Sequence, residues 1–312
     1  MLSLILRRFV SLPFVLLSVT FLTFIIGYLA PGDPILALMG NQRDPEIYAR
    51  LRSIYGLDLP WYEQYLRYLG QLVQGNLGLS YRFAQRPVWD LIRDGVSVSV
   101  ALGGAALVLS LLIGIPAGLI AALRQNTALE RVMMGLMLAL YAIPSFVLIP
   151  VLQWINYQIY LVSGSALPAA GWGTPRHWIM PIIVLSAASL GYIARLTRTN
   201  VLDVMRQDFI RTARSKGLAE WRVRWVHMFS NAMLPIVTVI GTTIAFLVTG
   251  SFIVETLFSI PGIGFLSIEA IGQRDYPVIQ GTTVILATAV VLMNLITDIL
   301  YMLLDPRVRV DS

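Results

Sequence analysis

Six stretches of about 20 or more mostly apolar residues limit the fold of this chain more than any other feature of its sequence. A helix needs about 20 such residues to cross the hydrocarbon layer of a bilayer. The composition agrees, because 57% of the residues are hydrophobic and 13% are charged, whereas soluble domains carry about a quarter charged residues. We therefore predict an all-α membrane protein with six spans, near residues 9–30, 96–122, 132–155, 178–196, 232–254 and 278–303.

The first stretch follows Arg7 and Arg8, as the apolar region of a cleaved signal peptide would. Its apolar run of about 22 residues is longer than the 7–15 residues typical of such a region. No small-residue cleavage site follows it, and Pro31 comes directly after its end. We therefore interpret residues 1–30 as the N-terminus and a retained first span.

The basic residues predict the orientation of the spans, because cytoplasmic loops are enriched in arginine and lysine. With both termini in the cytoplasm, the short outer loops hold only Arg176 and Arg274, and the segment 31–95 is long enough to escape the rule. The net charge of +6 is also compatible with nucleic-acid binding, but this distribution favours the membrane. Fourteen basic residues would be cytoplasmic: Arg7, Arg8, Arg124, Arg131, Arg195, Arg198, Arg206, Arg211, Arg214, Lys216, Arg222, Arg224, Arg307 and Arg309.

The segment 31–95 is predicted to lie outside the cytoplasm and to contain helical structure. In the run 60–74, Pro60 is placed to start a helix. Five apolar or aromatic residues follow at helical spacing, namely Trp61, Tyr65, Tyr68, Leu69 and Leu72. We expect a small helical cap between the first and second spans.

The residues that most catalytic motifs require are missing. Cysteine is absent, which excludes disulfides, thiolate metal sites and cysteine nucleophiles. Lys216 is the only lysine and lies between Ser215 and Gly217, so the chain has no phosphate-binding P-loop. His177 and His227 lie in different loops without a zinc-binding or catalytic motif around them. The sequence predicts a protein that is not an enzyme and holds no metal or cofactor of its own.

One acidic residue, Asp298, lies within a predicted span, one turn after Asn294. An acid inside a membrane can couple ion movement to transport, or it can form a polar contact between helices. The position of Asp298 near the inner edge favours the contact.

The prolines within the predicted spans also have two interpretations. They can kink a helix around a pathway, or neighbouring helices can compensate for the hydrogen bond that a proline removes. These prolines are Pro116, Pro144, Pro150 and Pro181.

The segment 208–235 carries the strongest functional pattern. It predicts a helix up to Lys216, a left-handed turn at Gly217, and a second short helix with Leu218, Trp221, Trp225 and Met228 on one apolar stripe. Glu220 and Arg224 are spaced for an ion pair. Such a basic amphipathic segment can rest on anionic lipid or dock onto a cytoplasmic partner. The glycine turn favours docking, because a helix on a lipid surface needs no fixed angle.

The stretch 211–218, followed by His227, Asn231, Ala232 and Pro235, resembles the EAA loop of ABC-importer permeases, in the form found in the peptide/nickel family. Arg211 and Thr212 replace the Glu and Ala of the general pattern, as is usual in that branch. Further matches cover essentially the whole chain: residues 29–34, 55–60, 64–65, 75–80, 261–264, 274–277 and 305–307, together with Glu255, Asn294 and Asp298.

The resemblance implies a type I importer permease (MetI-like) fold, with the outer segment 31–95 between spans 1 and 2, a permease core 96–304 containing the EAA loop 197–230, and a cytoplasmic tail 305–312. It implies four kinds of partner: a second homologous permease, two ATP-binding subunits that hold ATP and magnesium, an extracytoplasmic substrate-binding protein and the lipid bilayer. It also implies the residues that couple to the ATPase: Arg211, Thr212, Ala213, Lys216, Gly217, Leu218, Ala219, Glu220, Trp221 and Trp225.

The resemblance implies a bacterial or archaeal inner-membrane permease that imports di- or oligopeptides. Nickel, glutathione and oligosaccharides remain alternative substrates, because the binding protein largely sets selectivity in such systems. An ion-coupled secondary carrier is a second alternative, but carriers of that kind show matched broken helices and midplane ion ligands, which this sequence lacks. The residues that line the translocation pathway are not identified by the sequence.

Overall fold

The computed structural model describes residues 2–39, 44–83 and 86–304; side chains are described except at 2–10, 234, 238–250 and 300–304. Within these ranges the regular structure is helical apart from one isolated bridge between Leu79 and Pro87. The helices are α1 (Leu2–Leu29), α2 (Pro34–Met39), α3 (Pro45–Ile54), α4 (Trp61–Val73), α5 (Val88–Leu123), α6 (Ala128–Ala142), α7 (Ser145–Ser163), α8 (Pro175–Met205), α9 (Asp208–Ser215), α10 (Glu220–Arg222), a π-helix (Val223–Phe229), α11 (Ser230–Leu257), α12 (Ile263–Gln273) and α13 (Tyr276–Leu304).

Five helices in the described part of the chain are long and apolar enough to span a membrane. They are Ser11–Leu29, Val88–Leu123, Ser145–Ser163, Pro175–Met205 and Tyr276–Ile299. The predicted fifth span falls within α11, whose side chains at 238–250 are outside the described residues. The all-α membrane fold is therefore confirmed, and the predicted tail 305–312 lies outside the described residues.

The third predicted span, 132–155, is wrong in its bounds. The chain forms two helices here, α6 and α7, and the break lies at Ile143 and Pro144. A proline disfavours the helical conformation of the preceding residue, and Ile143 accordingly has an extended backbone (ψ 119°). Pro116, Pro150 and Pro181 lie inside continuous helices. The apolar helix long enough to cross a bilayer is α7 rather than the predicted segment.

The described chain divides into two compact units, and the first comprises Val100–Ile260 together with the chain from Leu292 onward. Its helix α8 packs against α6, α7 and α11. Helix α8 contributes 14 buried residues to this unit, among them Val184, Ile193 and Val201, which have at most 3% of their surface exposed. The unit is thus organised around one long, buried helix.

The second unit comprises Leu2–Ser99 and Pro261–Val291. Its core contains Leu77, Val88, Leu91, Ile92, Ile263, Leu266, Ala270 and Val278. The fully buried Asp275 carboxylate accepts hydrogen bonds from the Ser80 hydroxyl and from the N–H groups of Tyr81 and Arg82. These bonds hold the loop after residue 79 against the start of α13, so a structural contact between distant parts of the sequence accounts for this acidic residue.

The predicted helix at 60–74 is confirmed as α4, with Pro60 at its N-cap. It packs against α1 through Tyr65, whose ring lies 5.5 Å from the ring of Phe21 and 5.2 Å from that of Phe24. Two further short helices, α2 and α3, precede it in the predicted outer segment. The local sequence predicts α4 correctly, because its apolar residues recur at helical spacing directly after a proline that can start a helix.

Candidate functional site

The segment predicted to carry function forms a bent, two-part helical structure, which we call the elbow (residues 208–229). Helix α9 ends at Ser215, and Gly217 follows with a left-handed backbone (φ 74°). The Gly217 N–H donates to Arg214 O at 2.9 Å, and the Leu218 N–H donates to Ala213 O at 3.3 Å. No atom lies within 4 Å of a Cβ built on Gly217. The turn therefore requires glycine for its backbone angle rather than for space.

The second part of the elbow is not the separate short helix that the sequence predicted. Residues 220–222 are α-helical, 223–229 form a π-helix, and α11 continues from Ser230 without a break. Pro235 therefore lies inside α11. A π-helix joins residues five apart, and Val223 and Met228 are both buried, with 1% and 2% of their surface exposed. The elbow is thus continuous with the helix that contains the fifth predicted span.

This geometry also corrects the predicted apolar stripe. Leu218 and Met228 pack in the core as expected, but Trp221 and Trp225 are 60% and 55% exposed. The wider π-helical turn places Val223 on the buried face instead. The Arg222 guanidinium lies 5.5 Å from the ring centre of Trp221, and the Trp225 ring contacts Phe229 edge-on at 5.2 Å. Two indole rings are therefore presented on the surface of the elbow.

Glu220 joins the two parts of the elbow. Its carboxylate accepts from Arg214 Nε of α9 at 2.8 Å and from Arg224 Nε of the π-helix at 3.4 Å. The second contact confirms the predicted i, i+4 pair. Chiefly because of the Arg214 hydrogen bond, the pKa of Glu220 lies below its ordinary value. All three side chains are about half exposed, so each pair contributes at most about 1 kcal/mol to stability.

The elbow is attached to three longer helices by a shared apolar core. The core residues come from α5 (Ala122), α8 (Val201, Leu202), α9 (Ile210, Ala213), the π-helix (Val223, Met228) and α11 (Ala232). Close packing of this kind resists small displacements of one element past another. A force on the exposed surface of the elbow would therefore be transmitted to the ends of α5, α8 and α11.

All ten residues predicted to couple to an ATPase lie in or beside the turn of the elbow. Ala213 is buried and Leu218 is half-buried, so these two contribute to its internal packing. The other eight are exposed: Arg211, Thr212, Lys216, Gly217, Ala219, Glu220, Trp221 and Trp225. Their exposure is compatible with contact to a partner, and their role stays a prediction.

An ion pair near the elbow was not anticipated. Glu130 lies in the first turn of α6, is 6% exposed, and forms an ion pair with Arg198 of α8. Its other oxygen accepts from the Asn126 N–H, and the Thr127 hydroxyl caps the helix by accepting from the Glu130 N–H. The Arg198 hydrogen bond is the main reason that the pKa of Glu130 lies below its ordinary value. The Thr127-x-x-Glu130 spacing is a capping-box signal, but it does not reveal the Arg198 partner.

Within the described residues no group of three or more histidine, cysteine or acidic side chains could hold a metal ion. Asp298 and Asn294 of α13 are both half-buried, and the contact role predicted for Asp298 stays a prediction. Among the described residues, the elbow is therefore the candidate functional site.

Comparison with known families matches nearly the whole chain. Residues 114–310 match the model of the binding-protein-dependent transport system inner membrane component. Residues 1–103 match the N-terminal model of binding-protein-dependent transport system membrane components.

Curated relatives are similar over their full length. The chain is 36% identical to the dipeptide transport system permease protein DppB of Escherichia coli (strain K12), with 99% of both chains covered. It is 40% identical to the di/tripeptide transport system permease protein DppB of Pseudomonas aeruginosa (strain UCBPP-PA14), again with 99% coverage of both. It is also 35% identical to the glutathione transport system permease protein GsiC of Escherichia coli O6:H1, with the same coverage.

Among solved structures, an inward-facing MetNI methionine ABC transporter chain superposes with a TM-score of 0.56 at 18% sequence identity. The superposition covers 69% of this chain and 96% of the other. At this identity the likeness concerns the fold, and it confirms the predicted importer-permease fold.

Proposed function

The chain belongs to the binding-protein-dependent transport system inner membrane component family, and from that premise we propose that it is the permease subunit of an ATP-driven peptide importer. It would form half of a translocation pathway together with a second, homologous permease. The observation that carries the coupling part of this proposal is the elbow, which exposes two tryptophans and is continuous with α11.

In this proposal the elbow transmits ATPase movement to the membrane. Trp221 and Trp225 would fill a groove on an ATP-binding subunit, as aromatic anchors do at protein interfaces. When ATP closes the two ATPase subunits, the elbows of both permeases would be drawn together. Because the elbow shares a core with α5, α8 and α11, that displacement would tilt these helices and favour the outward-open state, a shift between two discrete arrangements.

We further propose that nucleotide hydrolysis takes place on partner subunits and that the substrates are di- or oligopeptides. The missing P-loop supports the first point. The second point is supported by the two DppB relatives, which are permease proteins of a dipeptide and a di/tripeptide transport system. Glutathione is the second candidate substrate, because a glutathione transport permease is similar over the same length.

Reconstitution into liposomes tests this function. The chain alone should hydrolyse no ATP, whereas the complete set of permeases, ATPase subunits and binding protein should take up labelled dipeptide only when ATP is present. Vanadate should stop the uptake, and omission of the binding protein should abolish it. ATP hydrolysis by the purified chain, or peptide uptake driven by an ion gradient without ATPase subunits, would contradict the proposal. Glutathione serves as the competing substrate in the same assay.

The orientation of the chain, with both termini in the cytoplasm, is also proposed, on the support of the arginine distribution. Single cysteines at Ser53, Ser163 and Ser215 test it without a background, because the chain has no cysteine of its own. All three positions are exposed. A membrane-impermeant maleimide should label positions 53 and 163 in intact cells, and position 215 only after permeabilisation. Labelling of position 215 in intact cells would show that the orientation is inverted.

A further inference from the structure

Helix α4 has a wider apolar face than the protein itself covers. On a helical projection, its side chains fall into three adjacent stripes. Tyr65, Tyr68 and Leu72 form the first stripe and are half-buried. Tyr62, Leu66 and Val73 form the second stripe, and they are 50%, 63% and 88% exposed. The second stripe is therefore an apolar surface without a covering element in the described chain.

The third stripe of α4 is polar and consists of Glu63, Gln64, Arg67 and Gln71. Gln64, Arg67 and Gln71 line a cavity of about 370 Å³, which is also lined by Asp33 and Arg52. Most of the polar stripe thus faces this cavity, whereas Tyr62, Leu66 and Val73 do not line it. A helix with this division between one apolar and one polar face can contact lipid on one side and polar groups on the other.

The position of α4 along α1 shows what surrounds it. The Tyr65 hydroxyl lies 3.3 Å from Leu17 O and 3.2 Å from the Thr20 hydroxyl. Both residues lie within the candidate span Ser11–Leu29. At 1.5 Å per residue, Leu17 is about 18 Å along the helix from Leu29, and the hydrocarbon layer is about 30 Å thick. The contact with Tyr65 is therefore well inside the span and not at its end.

We propose that α4 lies against α1 inside the membrane, with acyl chains covering the stripe formed by Tyr62, Leu66 and Val73. The polar stripe would face the cavity and so remain out of contact with the acyl chains. This changes the expectation from the sequence, in which α4 belonged to a cap outside the bilayer. The proposal does not depend on the ATPase coupling described above.

Spin labels test the environment of α4 directly. A single cysteine replaces Leu66, and separately Val73, in the full chain purified with its native partner subunits into nanodiscs of phosphatidylethanolamine and phosphatidylglycerol. Power saturation then compares collisions of the attached nitroxide with oxygen, which partitions into lipid, and with a water-soluble nickel chelate. Leu22→Cys on α1, 58% exposed within the same span, is the lipid reference. Arg67→Cys on the polar stripe of α4 is the matched aqueous control.

We expect the labels at 66 and 73 to collide with oxygen several-fold more than with the nickel chelate, as the label at 22 does, and the label at 67 to show the reverse preference. Equal or greater collision with the nickel chelate at 66 and 73 would place the stripe in water and overturn the proposal. Protection of both positions from both reagents would also overturn it, because another protein subunit would then cover the stripe. Each variant is accepted only when it still co-purifies with its partners.

Discussion

Replacing Trp221 with alanine should weaken recruitment of the ATP-binding subunits by about 30-fold or more and should abolish ATP-driven uptake. Truncating an aromatic anchor at an interface typically weakens the binding free energy by about 2 kcal/mol or more. A loss of about 1.4 kcal/mol corresponds to a tenfold loss of affinity. Trp221 is 60% exposed, so its removal leaves the core of the elbow intact. Trp225→Ala should act in the same direction, because its ring is exposed on the same part of the elbow.

Trp154 provides the matched control, because it is 63% exposed but lies on α7, away from the elbow. Trp154→Ala should leave ATPase recruitment unchanged. Pull-down of the ATPase subunits by each variant, measured beside peptide uptake, separates docking from the alternative in which the elbow rests on lipid. Normal recruitment and normal uptake in Trp221→Ala and in the Trp221→Ala/Trp225→Ala double variant would mean that the elbow is not the docking element.

A second variant, Gly217→Val, tests the shape of the elbow instead of its surface. Valine in the left-handed conformation costs about 1–2 kcal/mol, and nothing lies within 4 Å of a Cβ at this position, so we attribute the cost to the backbone angle. Membrane insertion should persist, since Gly217 lies outside the candidate spans.

Features that depend on neighbours in sequence were predictable. Helix α4 and the turn at Gly217 follow from apolar spacing and from the backbone freedom of glycine. The Glu220–Arg224 pair follows from helical spacing alone. Even the fold class required only the length and composition of the apolar stretches, because the bilayer admits few other solutions for such a chain.

Features that depend on tertiary packing were not predictable in the same way. The π-helix at 223–229 replaces an ordinary turn because it brings both Val223 and Met228 into the core, and nothing local in the sequence requires it. The break at Pro144 could have been anticipated, but a proline inside a span has more than one outcome. The Glu130–Arg198 pair joins residues 68 positions apart, so only the packing of α6 on α8 brings them together.

Two buried glycines permit α5 and α6 to approach α8 closely, and the sequence analysis did not identify them. A Cβ on Gly191 of α8 would lie 2.2 Å from Met137 O and 2.9 Å from Tyr141 Cβ of α6. A Cβ on Gly118 of α5 would lie 2.3 Å from Ala194 O of α8. Gly114 and Gly118 are four residues apart, a spacing of small residues that is common where membrane helices approach closely. The same spacing joins the buried Ala187 to Gly191 on α8, so this sequence signal was available for both helices.

Gly191→Ala and Gly118→Ala should therefore each destabilise the protein by about 1–3 kcal/mol, the usual cost of forcing an extra methyl group into a packed interior. Displacement of α6 from α8 by Gly191→Ala should also strain the Glu130–Arg198 ion pair and so lower uptake. The opposite sign is expected at Gly104 of α5 and Gly135 of α6, where no atom lies within 4 Å of a built Cβ. There, alanine should be neutral or stabilising by up to about 1 kcal/mol, because it favours the helix over glycine. Thermal unfolding of the four variants in one detergent measures the difference. If Gly191→Ala proved as stable as Gly135→Ala, α6 and α8 could not be packed as closely as this structure places them.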